Sequence, residues 1–142
     1  MIELFGRVHP LLVHFPIALL LIAAGLEVWR LKAESLVVAH FVLLTSLLGA
    51  FFSAAAVATG WVFSNEFHRS DTAALLAQHR WLGFATLILA VVTAGVVWRW
   101  NRPPSNSQKW IRRLLVWATA AILVAAAHVG AMAVWGDDFF SG

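Results

Sequence analysis

Four apolar stretches, each long enough to cross a bilayer, decide what this chain can fold into. They run approximately over residues 10–29, 36–62, 73–98 and 111–135. A hydrocarbon core of about 30 Å takes roughly 20 helical residues. A backbone in lipid must satisfy its own hydrogen bonds, which a helix does. The expected fold is all-α: an integral-membrane four-helix up-down bundle, both termini outside, as a single domain over residues 1–142. The spans take up nearly the whole chain and leave no separate soluble domain. Charged residues make up only 12% of it, about half the fraction of a soluble domain.

The formal charge of +3 does not point to nucleic acid, because the charges flank the spans. Arg30, Lys32, Arg99, Arg102, Lys109, Arg112 and Arg113 fall on one side, and Arg7, Arg69 and Arg80 on the other. The positive-inside rule assigns the first set to the cytoplasm. Both termini and the loop over residues 64–72 then face outward. The eight tryptophans agree as an interfacial belt: Trp29, Trp98, Trp100, Trp110 and Trp117 near the inner face, Trp61, Trp81 and Trp135 near the outer. The connection over residues 101–108 reads as a polar turn. With no cysteine, disulfides, thiolate metal sites and covalent c-type haem are excluded. The long first apolar run, Glu3 in the leader and the lack of a small-residue cleavage site argue against a cleaved signal peptide.

Four of the six histidines fall at the same, outer end. His9 and His14 open the first span, His79 lies just inside the third, and His128 lies near the end of the fourth. Imidazoles in or near lipid need a donor, an acceptor or a metal. Several at one depth on different helices can hold a cofactor in a bundle core. On the third span His79, Gly83, Thr86, Ala90 and Thr93 recur at helical spacing, so His79 is expected to point inward. Thr45, Gly49, Ser53, Ala56 and Gly60 form a similar stripe on the second span, and Ala125, Ala126, Ala127, Gly130 and Ala131 thin the fourth. Small residues commonly mean close helix packing; beside these imidazoles they also leave room for a flat cofactor.

In sequential up-down order the first and third spans are diagonal. His14 and His79 can then ligate one b-type haem from opposite sides, its edges toward the second and fourth spans. His128 serves as an alternative axial ligand or as a donor to a propionate, with Met132 a less favoured sulfur ligand. The competing readings are a Zn, Cu or Fe site from His14, His79 and His128, with or without His9, and hydrogen-bonded histidines without a cofactor. His9 and His68, taken singly, read as solvated or capping groups. His40 reads as interfacial or partner-facing. Pro16 is expected to bend the first helix beside His14, Pro10 suits its first turn, and Asp71-Thr72 reads as the N-cap of the third. Glu27 and Glu34 lie near the inner boundary, and no carboxylate reaches the membrane centre, against an ion pathway. Neither a Gly-rich phosphate loop nor a serine-hydrolase elbow is present, and no catalytic residue is assigned.

The opening His9-Pro10-Leu11-Leu12-Val13-His14-Phe15-Pro16-Ile17-Ala18-Leu19 resembles that of a bacterial family of four-helix membrane domains of unknown function. His79-Arg80-Trp81-Leu82-Gly83 and His128-Val129-Gly130 are similar to its later motifs, so the resemblance covers essentially the whole chain. Members are sometimes associated with cytochrome c-like modules, which implies a link to membrane electron transfer. The resemblance makes His9, His14, His79 and His128 the candidate site. The expected function is an inner-membrane, cytochrome-b-like subunit with one haem near the periplasmic face, passing electrons between quinol or a membrane redox partner and an external cytochrome. The alternative is a cofactor-free structural subunit of a respiratory or photosynthetic complex, or one that handles a metal.

Overall fold

The computed structural model describes residues 6–66, 72–100 and 104–136. Its helices are α1 (His9–Leu12), α2 (His14–Lys32), α3 (Leu36–Glu66), α4 (Ala73–Arg99) and α5 (Asn106–Trp135). α1 and α2 together make the first of four spans long and apolar enough to cross a membrane. No strand occurs among the described residues. Each span packs on its sequence neighbours and the first packs on the last, so the chain is an up-down bundle with first and third spans diagonal.

The division between α1 and α2 follows from Pro16. Without an N–H it cannot bond the carbonyl of Leu12, four residues back. The helix is interrupted at Val13, which nevertheless keeps helical dihedrals of φ −63° and ψ −25°. Pro10 stands in the first turn of α1, as expected. Thr72 occupies the N-cap position of α4 but makes no side-chain cap bond; Asp71 lies outside the described residues.

The fourth span begins about a turn and a half before the apolar run does. Ser105 accepts a bond from the backbone N–H of Gln108, whose side chain accepts one from the Ser105 N–H. This capping box satisfies two N–H groups otherwise orphaned at a helix start. Residues 106–108 of what reads as a polar turn are therefore helix, and the helix runs on through Lys109, Arg112 and Arg113.

The bundle places most of its large apolar side chains outside. Leu21, Ile22, Phe41, Leu44, Phe51, Ile88, Val91 and Leu114 are exposed, whereas the buried apolar residues are Ala and Val apart from Leu20 and Leu123. Lipid gives large apolar groups no reason to turn inward, and small residues let helices approach closely. Several buried hydroxyls are satisfied on their own helices: Thr45 donates to Phe41 O at 2.7 Å, Ser53 to Gly49 O at 2.8 Å and Thr86 to Leu82 O at 2.8 Å. Thr93 instead pairs across helices with Thr119 at 2.8 Å, and the buried Ser46 hydroxyl has no partner among the described residues. Both predicted inward stripes, on α3 and α4, face the core. Trp29, Trp61, Trp81, Trp98, Trp110 and Trp135 are exposed, as anchors should be. Trp117 departs from that expectation: it is half-buried on the core cluster of Ala23, Val42, Val97 and Val116, and its Nε1 donates to Ala24 O at 3.3 Å.

Candidate functional site

At the histidine end the interior pair is His9 and His79. Their ring centroids lie 6.4 Å apart with planes at 73°. His9 Nδ1 is 3.3 Å from Thr59 Oγ1. The single Thr59 hydroxyl hydrogen goes to Ala55 O at 2.8 Å, so the His9 contact needs Nδ1–H as donor. His79 Nδ1 is 2.9 Å from Ala126 O, and a carbonyl only accepts. In the neutral form of each ring these contacts select the Nδ1–H tautomer.

Two glycines seat these rings. A Cβ on Gly60 would lie 2.7 Å from His9 Cε1, and one on Gly130 would lie 2.8 Å from His79 Cε1. The small residues at this end of α3 and α5 are thus where the imidazoles of α1 and α4 seat. A contact at the same end of the bundle is made by Arg80, which donates to Ser64 Oγ through Nε at 3.0 Å and Nη2 at 2.6 Å. Its guanidinium also lies 5.2 Å over the Trp61 ring.

The diagonal pair His14 with His79 is not assembled. His14 is exposed, and its Nδ1 bonds Pro10 O, in the preceding helix of the same span, at 2.7 Å. Five residues of helix separate it from His9, which turns one ring in and the other out. His128 is also exposed. The His14–His79–His128 metal site is therefore not formed, and no group of three or more His, Asp or Glu positioned for a metal exists among the described residues. His9, read singly as a solvated or capping group, is instead half-buried in the pair. His40 faces outward and bonds Leu36 O at 2.7 Å. His68 lies outside the described residues.

The opposite end holds a constellation that the sequence reading placed only near the membrane boundary. Glu27 is fully buried between α2 and α5. Its Oε1 lies 2.9 Å from Arg30 Nη1 and 2.9 Å from Arg112 Nε, and its Oε2 lies 3.5 Å from Arg113 Nε. Glu34, at the rim, meets Arg30 Nη2 at 2.9 Å, Arg113 Nη2 at 3.0 Å and Lys109 Nζ at 3.6 Å. Arg113 Nη2 also donates to Arg30 O at 2.9 Å. Partial burial pushes the Glu34 carboxyl up, but Arg30, Lys109 and Arg113 outweigh it and hold it below the ordinary glutamate value. The missed signal was spacing: Leu20, Ala23, Glu27 and Arg30 share one helix face, and that face is buried.

Four apolar spans, a core of small residues and a lipid-suited surface define an integral-membrane helical bundle. The chain belongs to the family described as "Predicted membrane protein (DUF2231)", whose model matches residues 7–139. No curated protein and no solved structure matches it.

Proposed function

We propose that this protein is a membrane electron-transfer subunit that holds one b-type haem through His9 and His79, near the outer face of a bacterial inner membrane. The observation that carries this reading is the number of inward imidazoles. Two imidazoles are an incomplete set for a bare Zn, Cu or Fe site, which takes three or four protein ligands. They would be enough to hold a haem iron, whose other nitrogen ligands the macrocycle would supply. Thr59 and Ala126 fix the tautomer and orientation of each ring, as outer partners of ligating histidines do. Bound there, haem supplies one-electron chemistry. His9 and His79 replace His14 and His79 as the ligand pair, and quinol or an external cytochrome remains the proposed redox partner.

The close seating of the rings on Gly60 and Gly130 favours a second reading: a cofactor-free subunit of a larger complex, in which the pair is a polar interhelical contact. Absorption spectra of the detergent-purified protein, oxidised and then dithionite-reduced, separate the two. The haem reading expects a low-spin spectrum that His9→Ala or His79→Ala abolishes or converts to a high-spin, five-coordinate one. A wild type without haem or metal, whose His79→Ala variant merely melts earlier, establishes the second reading.

The orientation rests on the uneven distribution of Lys and Arg. A reporter active only outside the cytoplasm should work after Gly142 and fail near Ser105. The reverse result inverts the bundle and removes the external cytochrome from the proposal.

A further inference from the structure

The cluster at the arginine end holds more positive charge than its carboxylates neutralise. Arg30, Lys109, Arg112 and Arg113 meet only Glu27 and Glu34 among the described residues, leaving two positive charges uncompensated. The three arginines are buried, where a charge persists only if it is paired. Donors are left over as well as charge. Arg30 Nε has no hydrogen-bond partner, and the Nε atoms of Arg112 and Arg113 lie within ion-pair distance of Glu27 without an aligned bond.

We propose that this cluster binds the phosphate of an anionic phospholipid from the adjacent leaflet. Guanidinium forks match phosphate oxygens in shape and charge. The cluster opens toward the surface at Lys109 and Glu34, whose side chains are 27% and 41% exposed. Beside that opening Arg113 lies 5.4 Å over the ring of Trp110, and Trp110, Trp29 and Trp98 are exposed at the same end. Exposed tryptophans mark headgroup depth, and basic pockets between helices at that depth recognise anionic headgroups. The phosphate meets Lys109 at the rim with Arg113 directly behind it, and its charge offsets the excess of the buried arginines. It sits on the α2–α5 seam, the contact that closes the ring of spans.

The test uses the full chain, delipidated in neutral detergent and offered phosphatidylglycerol, phosphatidylcholine or inorganic phosphate. Binding is read by native mass spectrometry and by thermal shift. Phosphatidylglycerol should bind tighter than phosphatidylcholine by about fivefold per uncompensated cation. Lys109→Gln, a rim substitution that leaves the buried ion pairs intact, should remove about fivefold of that preference. Lys32→Gln, exposed and outside the cluster, should leave it unchanged. Equal binding of the two lipids overturns the proposal, and so does an equal loss in both variants, which indicates diffuse surface attraction. If inorganic phosphate displaces phosphatidylglycerol and gives the same thermal shift alone, the phosphate is soluble and the lipid assignment fails.

Discussion

Arg112 and Glu27 stand 85 residues apart in the chain, yet Arg112 Nε lies 2.9 Å from Glu27 Oε1 inside the bundle. Arg30 and Arg113 reach the same carboxylate, so one acidic group organises three buried guanidinium groups across the α2–α5 seam. A buried pair is weak evidence for stability relative to an apolar core, but removing one partner leaves uncompensated charge.

Glu27→Gln should therefore be among the most damaging single substitutions. The expected loss is about 3–5 kcal/mol, read as a large fall in melting temperature in detergent. Glu34→Gln, at the more exposed rim, should lose no more than about 1 kcal/mol. Similar melts for the two variants would remove Glu27 from its central place.

Acid should weaken the rim of the cluster. The folded Glu34 carboxyl is held below its ordinary value by Arg30, Lys109 and Arg113 against partial burial. A depressed carboxylate contributes its full stability above the unfolded value, about 4.3, and loses it as pH falls from there through the folded value. Melting curves in that acid window should fall less steeply for Glu34→Gln than for wild type. Parallel curves would mean that Glu34 contributes nothing to the acid response.

The glycine seats give a paired test of the histidine end. In Gly130→Ala the added methyl lies 2.8 Å from His79 Cε1 and 2.9 Å from Nδ1, so it displaces the ring from Ala126 O. Overpacking of this kind costs about 1–3 kcal/mol. A Cβ on Gly95 meets nothing within 4 Å, and Gly95→Ala should be neutral or stabilising by up to about 1 kcal/mol. Thermal unfolding of both variants in one detergent checks the contrast, and an unaffected Gly130→Ala would mean that the ring is not seated as described.

His14→Ala and His40→Ala should leave any haem spectrum and its stoichiometry unchanged. Both rings are exposed and bonded to carbonyls of their own first span or helix, Pro10 and Leu36. Loss of haem in His14→Ala alone would restore the His14–His79 pair and require the start of α2 to rotate.

The sequence by itself determined the class of fold. Apolar length and backbone hydrogen bonding in lipid demand helices, and short connections make neighbouring spans antiparallel. It also showed that His79 faces inward, because helical periodicity is a local property readable from His79, Gly83, Thr86, Ala90 and Thr93. Ser105 and Gln108 carried a legible capping signal that the polar turn residues obscured.

Only tertiary structure decided which histidines meet. His9 and His14 are near in sequence but differ in direction around the helix, and the Pro16 interruption makes that direction depend on how α1 docks against α3. Gly60 and Gly130 read in sequence only as small residues; the fold decided that Gly60 faces the ring of His9 and Gly130 that of His79. The arginine cluster was hidden for the same reason. Charge near a span end reads as an exposed flank until packing of α2 on α5 buries it, and burial across 85 residues of chain is not a local property.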